Sequence, residues 1–236
     1  MHRNAKSLNI KTMENNKTNM QRSALLSHVL KNMPTSNRRF NIPCEIRDIA
    51  NGLYIRAAVA AAKRGADYTL TEGLRKIIRS SAEWLSDPDA KPWLLFMGLC
   101  GNGKSTLARA VADLIKDSAE RILGYNEFSV RYRNARELVD LFVRDRDAFD
   151  RVAEADFLVI DDLGTEPQEI RNYGMTHTPI IDLLLYRYER NRMTLITTNL
   201  EGDELCPHYG ERIVDRLREQ SLTLTFLDSS FRGQPV

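Results

Sequence analysis

Residues 98–106 read GLCGNGKST. Gly98, Gly101 and Gly103 crowd against Lys104, Ser105 and Thr106. Glycines let backbone N–H groups turn inward and approach an anion with no Cβ in the way. The spacing G-x-x-x-x-G-K-[ST] is that of a loop cradling nucleotide phosphates. Gly98, Gly101, Asn102, Gly103 and Thr106 then form the cradle for a nucleotide's phosphates, Lys104 reaches the β- and γ-phosphates, and the Ser105 hydroxyl binds Mg²⁺. Cys100 sits inside the loop, either as a small residue at a tolerant position or as a thiol activated by the helix N-terminus that follows.

A second constellation closes the apolar run FLVIDD, residues 157–162. Asp161, at the end of a strand, is expected to hold the Mg²⁺ shell. Asp162 follows where an acid orients the attacking water. Aspartate is short for that task, so it acts through a shifted water or shares the work with Glu166. A third run, TLITTN at 194–199, ends in Thr197, Thr198 and Asn199. Ligands bind beyond the C-terminal ends of strands in open α/β sheets. The Asn199 amide is therefore a candidate partner for the attacking water or the γ-phosphate, with a plain turn residue as the alternative.

These groups need elements to hold them. WLLFM precedes the glycine loop as a strand, and a helix with the core stripe Leu107, Val111, Leu114 and Ile115 follows it. From about residue 90, strands alternate with helices, which predicts a parallel sheet. Five strands are expected, at WLLFM, FSVRY, FLVID, TLITT and LTLTFL. The first, third and fourth are mostly apolar, as strands covered on both faces are. The second and fifth alternate, so they belong at the edges.

Upstream, residues 1–21 are polar and predicted to form a disordered tail, and 22–90 form a helical adaptor region ahead of a 91–236 domain. SALLSHVLKNM is amphipathic, and a long helix is expected from Glu45 to Arg64 with Gly65 as its C-terminal cap. A second helix carries Leu74, Ile77, Ile78, Ala82 and Leu85 on one face. Thr69 and Glu72 are spaced as its capping box.

Bulk properties narrow the class. The 236 residues suit one domain, or one domain plus a small appendage. A net charge of +2 argues against a chain coated for bulk nucleic-acid binding. Cys44, Cys100 and Cys206 show no disulfide or zinc spacing, which fits a reducing cytoplasm. No apolar run approaches the roughly 18 residues of a membrane span, and the N-terminus has no apolar core of a signal peptide.

Taken together, GNGKS, VIDDLGTE, TLITTN and YGERIVDRLRE resemble the AAA+ ATPases of the DnaC/DnaI helicase-loader and IstB type, over about residues 90 to 232. The resemblance implies an α/β fold with a five-stranded parallel sheet in the order 5-1-4-3-2 and no C-terminal helical lid. It places Lys104 and Ser105 in Walker A, Asp161 and Asp162 in Walker B, and Asn199 at sensor 1. Arg216 matches the arginine finger that completes a neighbouring subunit's ATP site. Arg212, one turn earlier on the same face, is the other candidate, and surface ion pairing with Glu211, Asp215 or Glu219 is the plainer reading of both. DSSFRG makes Arg232 a candidate γ-phosphate sensor. Arg131 and Arg133 are candidate DNA contacts in a segment where acids interleave with arginines. The function implied is a cytoplasmic ATPase that assembles as a homo-oligomer on single-stranded DNA and holds a replicative helicase through its N-terminal helices. The alternative is an IstB-like helper ATPase acting with a transposase on DNA. No membrane partner is expected.

Overall fold

The computed structural model describes residues 39–66, 68–123, 128–172 and 174–227. The tail at 1–21, the amphipathic SALLSHVLKNM segment and Arg232 lie outside the described residues.

Five strands form one parallel sheet: β1 (Trp93–Gly98), β2 (Val130–Asn134), β3 (Phe157–Leu163), β6 (Met193–Thr198) and β7 (Ser221–Phe226), ordered β2-β3-β6-β1-β7. In chain order of these five strands this is 5-1-4-3-2 read from the other edge. The edges are those that alternation predicts. β1, β3 and β6 are buried along nearly their whole length, whereas all of β2 and the four inner residues of β7 are at least partly exposed. A small antiparallel hairpin, β4 (Ile170–Asn172) with β5 (Met175–His177), follows β3 and was not foreseen.

Successive side chains of each strand face opposite layers. Leu94 and Phe96 face a cluster built with α1 (Ile46–Ala62), α2 (Glu72–Ser86) and α3 (Lys104–Leu123). Trp93 and Leu95 face the other layer. There they meet α4 (Ala135–Arg144), α5 (Arg146–Ala153), α6 (Pro179–Glu189), α7 (Leu205–Tyr209) and α8 (Glu211–Gln220). The change of pattern near residue 90 is a change of secondary structure only. Leu53 and Ala57 of α1 and Leu74 and Ile78 of α2 belong to the same apolar cluster as Leu107 and Val111 of α3.

The helix ends show what local signals set. Gly65 ends α1 with φ +68°, and its N–H donates to Ala62 O. At α2 the cap is displaced from its expected place. Thr71, not Thr69, is the N-cap, its hydroxyl oxygen accepting from Leu74 N at 3.0 Å. Glu72 is the first helical residue, so the Thr69–Glu72 capping box does not form. The chain is still extended at Thr71, and only a side chain at the helix edge can reach an orphan N–H of the first turn.

One buried cation pins the lower end of the sheet. Arg187 of α6 donates to Ala153 O at 2.7 Å, Ala155 O at 2.8 Å, Met193 O at 2.6 Å and Thr194 Oγ1 at 2.9 Å. Its planar fork thereby joins the entry to β3 with the start of β6. No helix among the described residues is long and apolar enough to cross a membrane.

The displaced cap gives a direct test. Thr71→Ala should cost about 1 kcal/mol of stability, and Thr69→Ala a few tenths at most, measured by urea denaturation of both variants. Equal losses, or the larger loss at Thr69, would contradict the observed cap.

Candidate nucleotide site

Loop 98–103 leaves β1 and enters α3. Gly98 (φ +138°) pairs with Phe226 at the end of β7, and a Cβ there would collide with the Phe226 carbonyl oxygen. The same oxygen accepts a hydrogen bond from Asn102 Nδ2 at 3.1 Å, which ties the loop to the sheet edge. Asn102 is therefore a strut of the loop as well as part of its wall.

Lys104 starts α3 and is buried. Its ammonium donates to Gly98 O at 2.6 Å, Leu99 O at 2.7 Å, Asn199 Oδ1 at 2.9 Å and Asn102 Oδ1 at 3.2 Å. Burial lowers its pKa, and the neighbouring Cys100, Asp162 and Asp161 push the other way. Asn199 is brought to the loop from the end of β6, because β6 lies beside β1 in register Met97↔Thr198.

Asp161 is held on both oxygens. Tyr132 Oη donates to Oδ2 at 2.6 Å and Thr197 Oγ1 donates to Oδ1 at 2.6 Å. Tyr132 Oη also lies 3.5 Å from the Ser105 carbonyl oxygen, so it joins the β3 carboxylate to the start of α3. Arg109 stacks over the Tyr132 ring at 3.8 Å.

Asp161 does not end its strand as expected. Pairing resumes at Leu163↔Thr198 after an irregularity that follows Ile160. Asp162 takes up the irregularity with φ +56°, a left-handed conformation that aspartate tolerates better than most residues. Its N–H donates to Thr197 Oγ1 at 2.9 Å, and its Oδ2 accepts from Asn134 Nδ2 at 3.4 Å.

Glu166 is not brought into this group. Its Oε2 accepts from Gly164 N at 2.9 Å and its Oε1 from Tyr209 Oη at 2.5 Å, so it braces the turn after β3 against α7. The expectation that it shares work with Asp162 at the water is not met by its position.

A cavity of about 380 Å³ opens over the loop, lined by Gly101, Asn102, Gly103, Lys104, Ser105, Thr106, Asp162, Thr165 and Asn199. Cys100 is exposed and also lines it. Ala61, Arg64, Ala66 and Tyr68, at the end of α1 and just beyond, line it as well. Sequence spacing gave no sign of these residues. Tyr132 and Thr197 were likewise missed as partners of Asp161. Asn134 was legible in principle: with Glu137 it forms the capping box of α4, which sets it at the C-terminal end of β2.

The cavity suits a magnesium nucleotide. Positive-φ glycines open the loop, and the helix start offers orphan N–H groups. Ser105 and Asp161 are hard oxygen donors. Among the described residues no group of three His, Cys, Asp or Glu side chains could hold a metal alone. Mg²⁺ itself takes one or two protein oxygens and completes its shell with phosphate and water.

Arg216 lies on α8 and is not among the residues lining this cavity. Its Nη1 donates to Arg212 O at 3.0 Å, and its guanidinium lies 4.8 Å from the centre of the Tyr188 ring. Glu219 accepts from Tyr188 Oη and Asp215 pairs with Arg218. Among the described residues no carboxylate lies within ion-pair distance of Arg216. Arg212 is exposed on the same helix. Arg131 and Arg133 lie on the edge strand β2, with Arg131 exposed.

Solved structures share this architecture. The DnaC helicase loader superposes with a TM-score of 0.55 at 20% identity, over 72% of this chain and 98% of that one. DnaI gives 0.53 at 23% identity, over 70% and 88%. AMPPCP-bound DnaA from Aquifex aeolicus gives 0.50 at 18% identity, over 70% of this chain and 50% of that one. The fold is the AAA+ fold. No protein-family model matches the sequence, and no curated protein does. The AAA+ sheet puts the ends of β1, β3 and β6 side by side, which is where Lys104, Asp161 and Asn199 meet.

Three phenols should titrate late. Burial raises the pKa of Tyr68, Tyr132 and Tyr209 above the ordinary 10.0, and the charges of Asp161 and Glu166 add to the rise at Tyr132 and Tyr209. A group raised in the folded state contributes stability that is full below the unfolded pKa and is lost as pH climbs. The urea midpoint should therefore hold up to about pH 10 and fall above it, with a shallower fall in Tyr209→Phe. A midpoint flat to pH 11, or an unchanged slope in the variant, would contradict this.

Proposed function

We propose that this chain is an ATPase that loads a replicative helicase onto single-stranded DNA, hydrolysing ATP at interfaces between its own copies. The observation that carries the reading is the convergence of Lys104, Asn199 and the Asp161–Asp162 pair at the glycine loop. The fold likeness to DnaC and DnaI supports the loader reading, and DnaA structures of the same fold carry a nucleotide analogue, in one case with single-stranded DNA.

Bound Mg²⁺ and ATP supply the phosphoryl group and its charge neutralisation. Gly98, Gly101, Asn102, Gly103 and Thr106 shape the phosphate cradle. Lys104 leaves the loop carbonyls for the β- and γ-phosphates, keeping its charge in a site where burial strengthens the attraction. Ser105 and Asp161 hold the metal, and Tyr132 and Thr197 fix the Asp161 carboxylate. Asp162 orients the attacking water and takes its proton at a carboxylate oxygen. Asn199 positions the same water or the γ-phosphate from the end of β6. Arg232 is a further γ-phosphate contact from the C-terminal segment.

Arg216 serves a neighbouring copy as the arginine finger. Among the described residues no carboxylate neutralises it, which suits a cation that acts in trans. The helicase is held by the N-terminal helices, where Ile55 and Val59 of α1 are exposed apolar residues that suit a protein partner.

Lys104→Ala should abolish ATP hydrolysis, and unimpaired turnover would overturn the site. Arg216→Ala should keep nucleotide binding and lose roughly 10³ to 10⁵ in rate under assembling conditions. Mixing the two variants should restore part of the activity, since one supplies the loop and the other the finger. No recovery, or wild-type turnover by Arg216→Ala alone, would remove the finger from this position.

The partner has its own test. With ATP and single-stranded DNA, the full-length chain should co-elute with the host's replicative helicase, and Lys104→Ala should weaken that complex. A chain that hydrolyses ATP but never co-elutes would keep the ATPase and overturn the loader.

A further inference from the structure

The end of α1 reaches the phosphate side of the cavity. α1 lies along α3: Gly52 faces Leu114, and Arg56 Nη2 pairs with Asp117 Oδ2 at 2.6 Å. The last helical residue is Ala62, and the turn that follows, closed by Gly65, leaves Arg64 over the first turn of α3. There Arg64 Nη2 donates to Thr106 Oγ1 at 2.6 Å. Among the described residues no carboxylate lies within ion-pair distance of Arg64, so the hydroxyl is a neutral partner for a full charge.

The surroundings of that guanidinium are donors. The first hydrogen bond of α3 runs from Leu107 N to Gly103 O at 2.9 Å. The N–H groups of Lys104, Ser105 and Thr106 come before it and have no acceptor within the helix. Arg64 therefore adds a cation to three amides at the positive end of a helix dipole, within one cavity wall. An anion is what such a set of donors takes. A guanidinium can keep the Thr106 hydroxyl on one nitrogen while its other N–H groups meet an oxygen of the anion.

We propose that Arg64 is a nucleotide-binding residue, donating to the phosphate seated on the Thr106 amide, one that ADP retains as well as ATP. The inference rests on reading the glycine loop as a nucleotide site. It ties nucleotide occupancy to the C-terminal end of α1, because the phosphate and the helix end share one side chain.

The test is titration of fluorescently labelled ATP and ADP against full-length wild type, Arg64→Ala, Arg64→Lys and Lys104→Ala. Arg64→Ala should weaken ATP and ADP by a common factor of about tenfold, with Arg64→Lys between it and wild type. The melting temperature of the unliganded protein should stay unchanged, since the Arg64 side chain is exposed. ADP should also slow amide hydrogen exchange across residues 61–66 in wild type and fail to do so in Arg64→Ala. Unchanged affinities in Arg64→Ala, or a loss confined to ATP, would overturn the assignment. Loss of binding in Lys104→Ala but not in Arg64→Ala would leave the nucleotide site standing and remove Arg64 alone. Failure of wild type to bind either nucleotide would overturn the site itself, and this inference with it.

Discussion

The Lys104 ammonium is the constraint around which the site is arranged. A charge taken out of water is costly unless acceptors replace the water. Here the acceptors are two carbonyls of the loop, Asn102 and Asn199. They come from the end of β1, the glycine turn and the end of β6. They can meet only if β6 and β1 are neighbours with their ends level. The register Met97↔Thr198 provides that, and Asn102 fastens the turn to β7 on the other side. The loop is thus supported from both strands that flank β1.

The pairing of β3 with β6 is fixed at both ends by polar side chains in an otherwise apolar sheet. At the entry, Arg187 gathers carbonyls from before β3 and from the start of β6. At the exit, the Thr197 hydroxyl accepts from Asp162 N and donates to Asp161. A slip of one residue would turn every side chain to the opposite layer and break both clamps. The left-handed backbone at Asp162 sits directly after this second clamp, so the two adjacent carboxylates leave the strand in different environments. Asp161 is enclosed by hydroxyl donors, and Asp162 lines the open cavity.

The helices before the sheet are part of the same packing. Arg39 stacks on the Trp84 ring at 3.8 Å and donates to Trp84 O and Asp87 O, while burial lowers its pKa to about 10. Trp84 in turn donates to Lys91 O, carrying the connection to the edge of β1. The apolar face of α1 lies on α3, the helix that begins at Lys104. A displacement of α1 would therefore be felt at the wall of the cavity, over a distance spanned by one well-packed helix pair.

The sequence by itself determined the local pieces. Glycine spacing before Lys104 identified the loop, because a phosphate cradle needs specific backbone freedom at specific steps. Apolar runs against alternating ones separated inner strands from edges, because burial on one or two faces writes a different pattern. The runs ending at Asp161 and Asn199 placed chemistry at strand ends. Tertiary structure decided which distant groups meet there. Tyr132 reaches Asp161 across a strand pair, and Arg64 reaches Thr106 across 42 residues. Neither leaves a period in the sequence, since periodicity reports the dihedrals of one segment and not the register between two. The same limit hid the donors that turn Glu166 into a brace and the irregularity that carries β3 on to Leu163. At α2, Thr69 and Thr71 both have the chemistry of a cap. The three-dimensional path of the chain chose Thr71, because only there does the backbone turn from extended to helical.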